Sequence, residues 1–319
     1  MQKRLLINLL LLLAVLVLGA IVIFEPGKEE QPESVRLTEL DDTTIDHFVL
    51  KNNSGEIAFE KREDHWWLTA PFSAPANDIR VGQLLAISHA ASASHYPLNT
   101  EDLPRFELDK PKASITLGQV KMVFGGVDPI DLRRYVWVGK TLHLVDDDFS
   151  HHISAPATEY VERKLLPEGS KPNVLTLPGL KLTQDKDGRW QVDPASPAAS
   201  GAADLVANWQ TARAIDVMQI AQPVQGDIIH IDFTDHAPVE FVILKRDPDL
   251  ILARADWGLQ YQVTAETAAQ LLTLALKPAV APAAPVSPND NVEEEDSEPA
   301  DSDDQLKIDE HDTEDEPDK

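Results

Sequence analysis

A tryptophan-bearing strand, a proline-punctuated turn and an amphipathic helix occur twice in this chain, and that recurrence limits the folds open to it. The first copy runs from Asp64 to Ala91 as D-H-W-W-L-T-A-P-F-S-A-P-A-N-D-I-R-V-G-Q-L-L-A-I-S-H-A-A. Residues 66–68 read as a strand, and Pro71 and Pro75 bar regular structure after it because proline has no amide to donate. Asn77 or Asp78 then offers a side-chain oxygen as helix N-cap. Val81, Leu84, Leu85 and Ser88 recur at helical spacing, with Ile87 and Ala91 widening the apolar face. The second copy begins at Gly188 with G-R-W-Q-V-D-P, turns over 194–201, and has Asp204 as the cap of a helix carrying Leu205, Trp209 and Ala212 on one face.

The flanking segments repeat in the same order. In the first half, strands at 46–51 and 56–61 are joined by Asn52-Asn53-Ser54-Gly55, a turn sequence. After Pro111 four more follow at 113–117, 121–124, 135–138 and 142–145, then a helical turn at 148–153 and a helical stretch at 157–165. In the second half, strands at 180–183 and 189–192 flank Asp185-Lys186-Asp187-Gly188. Strands at 229–233, where Ile229, Ile231 and Phe233 alternate with polar residues, and at 240–244, 250–255 and 260–263 follow, with a closing helix at 265–276. The fold class expected is α+β, with two tandem, duplicated sheet-plus-helix modules at 35–165 and 166–276. Shifts in register between the copies exclude a fixed-period solenoid.

The termini are of another kind. After a basic start at 1–4, residues 5–24 form a 20-residue apolar run with one polar side chain, Asn8. At ~1.5 Å per residue this spans ~30 Å, a bilayer core. Lys3 and Arg4 precede the run and Glu25, Glu29 and Glu30 follow it. The positive-inside rule then puts the N-terminus in the cytoplasm and the rest of the chain across a bacterial inner membrane, in the periplasm. Leu18-Gly19-Ala20 is a poor cleavage site, so the run is expected to stay as a single-pass anchor, with 25–34 as linker. At the other end, 277–319 holds a Pro/Ala linker and an acidic tail expected to be disordered. Residues 289–319 contain 16 Asp/Glu against 2 Lys, which is −14 of the net −26 and leaves −12 for the rest. Such a balance excludes nucleic-acid binding, which needs clustered Lys and Arg. The tail has no D-x-D-x-D-G calcium loop and reads as a solubilising, partner-facing segment.

No constellation of residues points to catalysis. The absence of cysteine removes thiolate nucleophiles, disulfides and thiolate metal sites. His151-His152, after three aspartates, sits in a turn-forming segment, and His65, His89, His95 and His230 are isolated along the chain. There is no G-x-S-x-G elbow, and Gly125-Gly126-Val127-Asp128-Pro129 lacks both G-x-G-x-x-G and a phosphate-binding lysine, so it reads as a wide hairpin connection. No catalytic residue, metal ligand or cofactor is expected. The candidate contacts for a partner or ligand are Trp66 and Trp67, of which a strand turns only one outward, and Arg133 and Arg134, which could receive an anionic group.

The run from Ile57 to Leu85, with F-E-L-D-K-P-K-A-S-I-T-L at Phe106 to Leu117 and V-F-G-G-V-D-P at Val123 to Pro129, resembles the DUF4340 family across 45–145 and more faintly through the second half. The resemblance implies an N-terminal membrane helix and a non-enzymatic accessory component associated with an ABC-type transporter of the gliding-motility auxiliary type. Its motifs are structural, and no catalytic residue carries over from them. The expected function is thus a non-catalytic, membrane-anchored periplasmic accessory or scaffold protein, with transporter permease subunits as partner class. The alternative is a periplasmic small-ligand or glycan-binding module using the cleft between the repeats.

Overall fold

Among the described residues, eighteen strands fall into two antiparallel sheets, one on each side of residue 160. The computed structural model describes residues 35–221 and 223–275, together with Leu10, Leu12–15 and Gly19. The expected anchor at 5–24 lies mostly outside the described residues, and its linker at 25–34 and the tail at 277–319 lie wholly outside them. Among the described residues no helix is long and apolar enough to cross a membrane.

The first sheet contains β1 (Val35–Arg36), β2 (His47–Asn52), β3 (Gly55–Arg62), β4 (His65–Ala70), β5 (Ala74–Pro75), β6 (Ala91–Pro97), β7 (Ala113–Leu117), β8 (Val120–Val127), β9 (Arg133–Val138) and β10 (Thr141–Asp146). Its spatial order is β1-β6-β10-β9-β8-β7-β2-β3-β4-β5. The second sheet contains β11 (Pro172–Leu177), β12 (Leu180–Gln184), β13 (Trp190–Asp193), β14 (Asp216–Gln219), β15 (Asp227–Phe233), β16 (Val239–Lys245), β17 (Leu250–Arg254) and β18 (Leu259–Val263), in the order β13-β12-β11-β15-β16-β17-β18-β14. Read from β4, the first sheet runs third, second, first, fifth, sixth, seventh, eighth, fourth, when the short edge strands β1 and β5 are set aside. The second sheet has the same order. The helices fall in the same places: α1 (Asp78–Ala86) and α2 (Ser150–Ser154) in the first half, α3 (Ala202–Thr211) and α4 (Ala265–Leu272) in the second.

Both sheets bury one face because alternate strand residues point to opposite sides. In the first, Phe48, Leu50, Ile57, Phe59, Trp66, Leu68, Ile115 and Phe124 meet Val81, Leu84 and Leu85 of α1 and Ile153 of α2. In the second, Leu175, Leu182, Ile229, Ile231, Phe241 and Leu252 meet Leu205, Val206 and Trp209 of α3 and Leu271 of α4. The two sets form one continuous core. Asn77 caps α1 by accepting from the amide of Arg80 at 3.1 Å.

Between the sheets, residues 155–166 form a strap paired to both. The amide of Asn77 donates to the carbonyl of Tyr160 at 2.7 Å, and that of Glu162 to the carbonyl of Pro75 at 2.9 Å. Two residues later, the amide of Ala214 donates to Arg163 at 2.8 Å and that of Leu165 to Ala212 at 3.1 Å. Glu162 adds side-chain ties to both halves, accepting from Asn77 Nδ2 at 3.2 Å and from Arg213 at 2.9 Å. The strap also stands where β1 stands in the first half: Leu37 donates to Ala90 after α1 as Leu165 does to Ala212 after α3.

Four expectations need correction. Residues 157–165 are not a helix: a 3-10 turn covers Ala157–Tyr160, and the rest is the extended strap. Pairing to two sheets supplies that backbone with partners a helix would otherwise provide. Ala91 does not widen the face of α1, being exposed as the first residue of β6. Asp204 lies in the first turn of α3, whose N-cap is Gly201. A Cβ at position 201 would come within 2.3 Å of the Ala275 carbonyl oxygen, so this close approach selects glycine over a side-chain cap. The closing helix ends at Leu272.

A shared core and strap make the halves one folding unit. Trp209→Ala should cost about 3–5 kcal/mol and lower the urea midpoint of a single transition seen by both near- and far-UV circular dichroism. A first-half transition left at its wild-type midpoint would refute the shared core.

Candidate functional site

β4 is short and aromatic, and its alternation separates the two tryptophans. Trp66 turns inward, 7% exposed, with its ring edge-on to Phe48 at 5.3 Å. Trp67 turns outward, half-buried, and the Arg62 guanidinium lies 5.2 Å from its ring centroid. This is the outer face of β2, β3 and β4, where His47, Val49, Ala58, Glu60 and Thr69 also point. A shallow, open depression of about 430 Å³ lies on that side of the same strands, lined by Asp46, His47, Val49, Ala58, Glu60 and Thr69 among others. Another, of about 400 Å³, lies between α3 and α4. Each is contained within one half.

The two arginines sit on β9, with β8, β7, β2 and β3 between them and β4. The structure therefore does not gather the four candidate residues into one site. Arg134 is 8% exposed and committed internally. Its Nε and Nη2 donate to Asp147 at 2.7 Å each, Nη1 to the Gly125 carbonyl and Nη2 also to Ser150 Oγ, both at 2.6 Å. Burial works to raise the Asp147 pKa, but the bonds from Arg134 and Ser150 and the guanidinium charge outweigh it and hold the carboxyl below its usual range. Arg133, one residue earlier and on the other face, pairs with Asp146 at 3.0 Å and Asp131 at 3.7 Å near the surface. Arg134 is thus an internal clamp of the β8–β10 end, unavailable to an anionic ligand.

Three of the histidines isolated along the chain, His65, His89 and His230, meet carboxylates in space. His65 Nδ1 lies 2.8 Å from Asp78 Oδ2, while Asp78 Oδ1 accepts the Trp66 amide at 2.8 Å, tying β4 to the first turn of α1. His230 approaches Asp232 at 3.1 Å. His143, which sequence reasoning did not single out, stands opposite His95 in the β6–β10 register and contacts Ser92 Oγ at 3.1 Å. Burial, then the His95 charge, pushes its pKa down. Among the described residues no three His, Asp or Glu side chains gather as a metal-binding group.

Sequence reasoning also missed Arg254. It is buried on β17, stacked on Trp257 at 3.5 Å from the ring centroid and held by Asp256 through two bonds of 3.0 and 2.8 Å. The only available signal, an Arg-x-Asp-Trp turn, is too common to mark a buried cation. The Nη1 of Arg254 is buried without a hydrogen-bond partner, whereas the Arg134 and Asp78 groups are satisfied by charged or backbone partners that fasten strand ends.

A family model described as a domain of unknown function, DUF4340, matches residues 66–226, which is 161 of the 319 residues. The chain belongs to the DUF4340 family. The match begins on β4, where the two tryptophans diverge, crosses the strap and ends just before β15, so the DUF4340 span takes in the junction of both sheets. Comparison with curated proteins returns no match, and neither does comparison with solved structures.

Two measurements test the roles given to these side chains. Arg134→Ala leaves Asp147 without its cation and should destabilise by about 3–5 kcal/mol, whereas Arg133→Ala should cost under about 1 kcal/mol; equal urea midpoints for the two variants would contradict the clamp. For His65, the hydrogen bond to Asp78, then its charge, raises the pKa above 6.5. The raised value means the proton binds more tightly in the folded state, so the contribution is complete below pH 6.5 and lost as pH rises through the folded pKa. The melting-temperature gap between wild type and His65→Gln should therefore narrow from pH 5.5 to 8.5. A gap that widens over that range would show the pairing to be misread.

Proposed function

We propose that this DUF4340 protein is a non-catalytic accessory or scaffold component of an envelope complex, built from a duplicated module and held by its N-terminal run in a bacterial inner membrane. In this reading residues 1–4 are cytoplasmic, 5–24 span the bilayer, and the two halves stand in the periplasm with the acidic tail following them in sequence. The observation that carries the proposal is the use of one eight-strand topology twice, fused through the strap into a single core. Such a body presents the outer faces of two sheets to partners, and Arg133, Arg134 and Arg254 are engaged with aspartates at strand ends. The 20-residue apolar run with basic residues before it and acidic ones after it supports the anchor and its orientation. The family description names no activity, so the transporter-permease partner class rests on the sequence resemblance and remains part of the proposal.

A second reading, a small-ligand or glycan-binding module, draws on one observation, the outward Trp67 with Arg62 above it. An aromatic face backed by a cation suits stacking on a flat ligand. That contact face belongs to the first half alone and not to a cleft between the halves.

The deciding experiment is in-cell crosslinking of the full-length protein at native expression, followed by pull-down and mass spectrometry. Membrane permease subunits should co-purify, and should be lost when 5–24 is replaced by a cleavable signal. Recovery of the protein alone, with a ligand-dependent rise in melting temperature abolished by Trp67→Ala, would reverse the order of the two readings.

A further inference from the structure

The connection between β8 and β9, residues 128–132, holds two aliphatic side chains in solvent on a rigid frame. Ile130 is 86% and Leu132 70% exposed, and Val127 beside them is also exposed. The frame is Asp128. One carboxylate oxygen accepts the amides of Ile130 at 3.1 Å and Asp131 at 2.9 Å, and the other accepts the Tyr135 hydroxyl at 2.6 Å. Its backbone donates to Arg133 at 2.7 Å and accepts from Leu132 at 3.0 Å. Tyr135 is anchored in turn against Phe106, 4.9 Å between ring centroids. Below, Gly125 allows the Phe106 backbone to approach so closely that a Cβ there would fall 2.2 Å from its carbonyl oxygen. A loop built this firmly keeps its aliphatic side chains where they are, although collapse onto the sheet would remove them from water.

The second half shows that such exposure is not required by the fold. The topologically equivalent connection, between β16 and β17, has Asp247-Pro248-Asp249-Leu250 where the first half has Asp128-Pro129-Ile130-Asp131-Leu132. Leu250 is fully buried as the first residue of its strand. Leu132, by contrast, stands one residue ahead of β9, in the longer turn that Ile130 extends. Leu132 is moreover held at φ 57°, a left-handed conformation costly for a residue with a branched side chain. The first half thus carries a strained loop and two solvated aliphatics that its twin avoids, and exposed apolar groups rimmed by polar ones mark interaction sites.

We propose that residues 127–132 are a docking knob for a protein partner whose surface offers an apolar pocket rimmed by Lys and Arg. The rim of the knob decides the partner's charge. Asp128, Asp131, Asp146, Asp147 and Asp148 stand at this end of β8, β9 and β10 against Arg133 and Arg134, and both arginines are already paired with aspartates. Excess negative charge around an aliphatic tip complements a basic-rimmed pocket and is repelled by an anionic lipid surface. The inference rests on the scaffold reading above and names the contact that reading requires.

The test places a photo-crosslinking amino acid at 130, at 132 or, as a control, at Lys140 in the turn after β9, in the full chain expressed in cells. Adducts should form from 130 and 132 but not from 140, and the crosslinked partner peptide should map to an apolar patch flanked by Lys or Arg. With the crosslinker at 132, Ile130→Asp should cut the adduct about tenfold or more, because an unpaired carboxylate would enter the pocket. The melting temperature of Ile130→Asp should stay at the wild-type value, since the side chain it replaces is in solvent. Adducts to lipid alone, adducts to a polar or acidic surface, equal yield from 140, or no adduct at all would each overturn the proposal. If permease subunits still co-purify with an Ile130→Asp, Leu132→Asp variant, the knob fails while the scaffold reading stands. If the wild-type chain brings down no partner, the scaffold reading itself fails.

Discussion

The backbone of residues 160–165 is hydrogen-bonded to Pro75 and Asn77 at the margin of the first sheet and to Ala212 and Ala214, ahead of β14, beside the second, and the rest of the architecture depends on that double attachment. Extended chain at a sheet margin carries unpaired amides and carbonyls, and burying them unpaired would cost more than the packing returns. Pairing on both sides resolves this and lets Tyr160, Val161, Leu165 and Leu166 sink into the core that both halves share. Glu162 then takes the side chains of Asn77 and Arg213 on its two oxygens, so that polar and apolar ties act at the same point. The two sheets thereby share one core.

The polar chemistry follows from the same need to secure strand ends. Arg134 with Asp147 and Ser150, Asp78 with His65 and the Trp66 amide, and Arg254 with Asp256 and Trp257 each close a place where the regular ladder stops. Arg134 and Asp78 are held by these partners at the strand ends. What the molecule turns outward is different in kind: Trp67 under Arg62 on one face, and Ile130 and Leu132 at the end of the first sheet. A scaffold reading gives these exposed groups a purpose, and Leu132, left in the turn before its strand, is in solvent where Leu250, the first residue of the equivalent strand, is buried.

Much of the fold was legible in the chain because its signals are local. The face of α1 at Val81, Leu84 and Leu85, the Asn77 cap and the hairpins turning at Gly55, Gly118, Gly139 and Gly188 are set by spacing and turn chemistry within a few residues. β6 and β14 were not legible. A-S-A-S-H-Y-P and D-V-M-Q have little apolar alternation, and they are strands because neighbouring β10 and β18 supply backbone partners. The stretch 157–165 carries helix-forming residues yet is drawn out straight, since pairing with two sheets outweighs a weak local preference. Of the candidate contacts, the division of Trp66 from Trp67 was readable from strand alternation, whereas the commitment of Arg134 was not, because Asp147, Gly125 and Ser150 reach it only through the fold.

The sequence by itself determined the class of elements, their order, their recurrence in two halves and the family to which the chain belongs, since periodicity, turn residues and motif spacing act along the chain. The tertiary structure alone decided that the halves share a core, that Arg134 is an internal clamp, and that Leu132 faces water while Leu250 does not. Those outcomes depend on which residues, distant in sequence, arrive at one place, and on whether a side chain is taken into a strand or left in the turn before it.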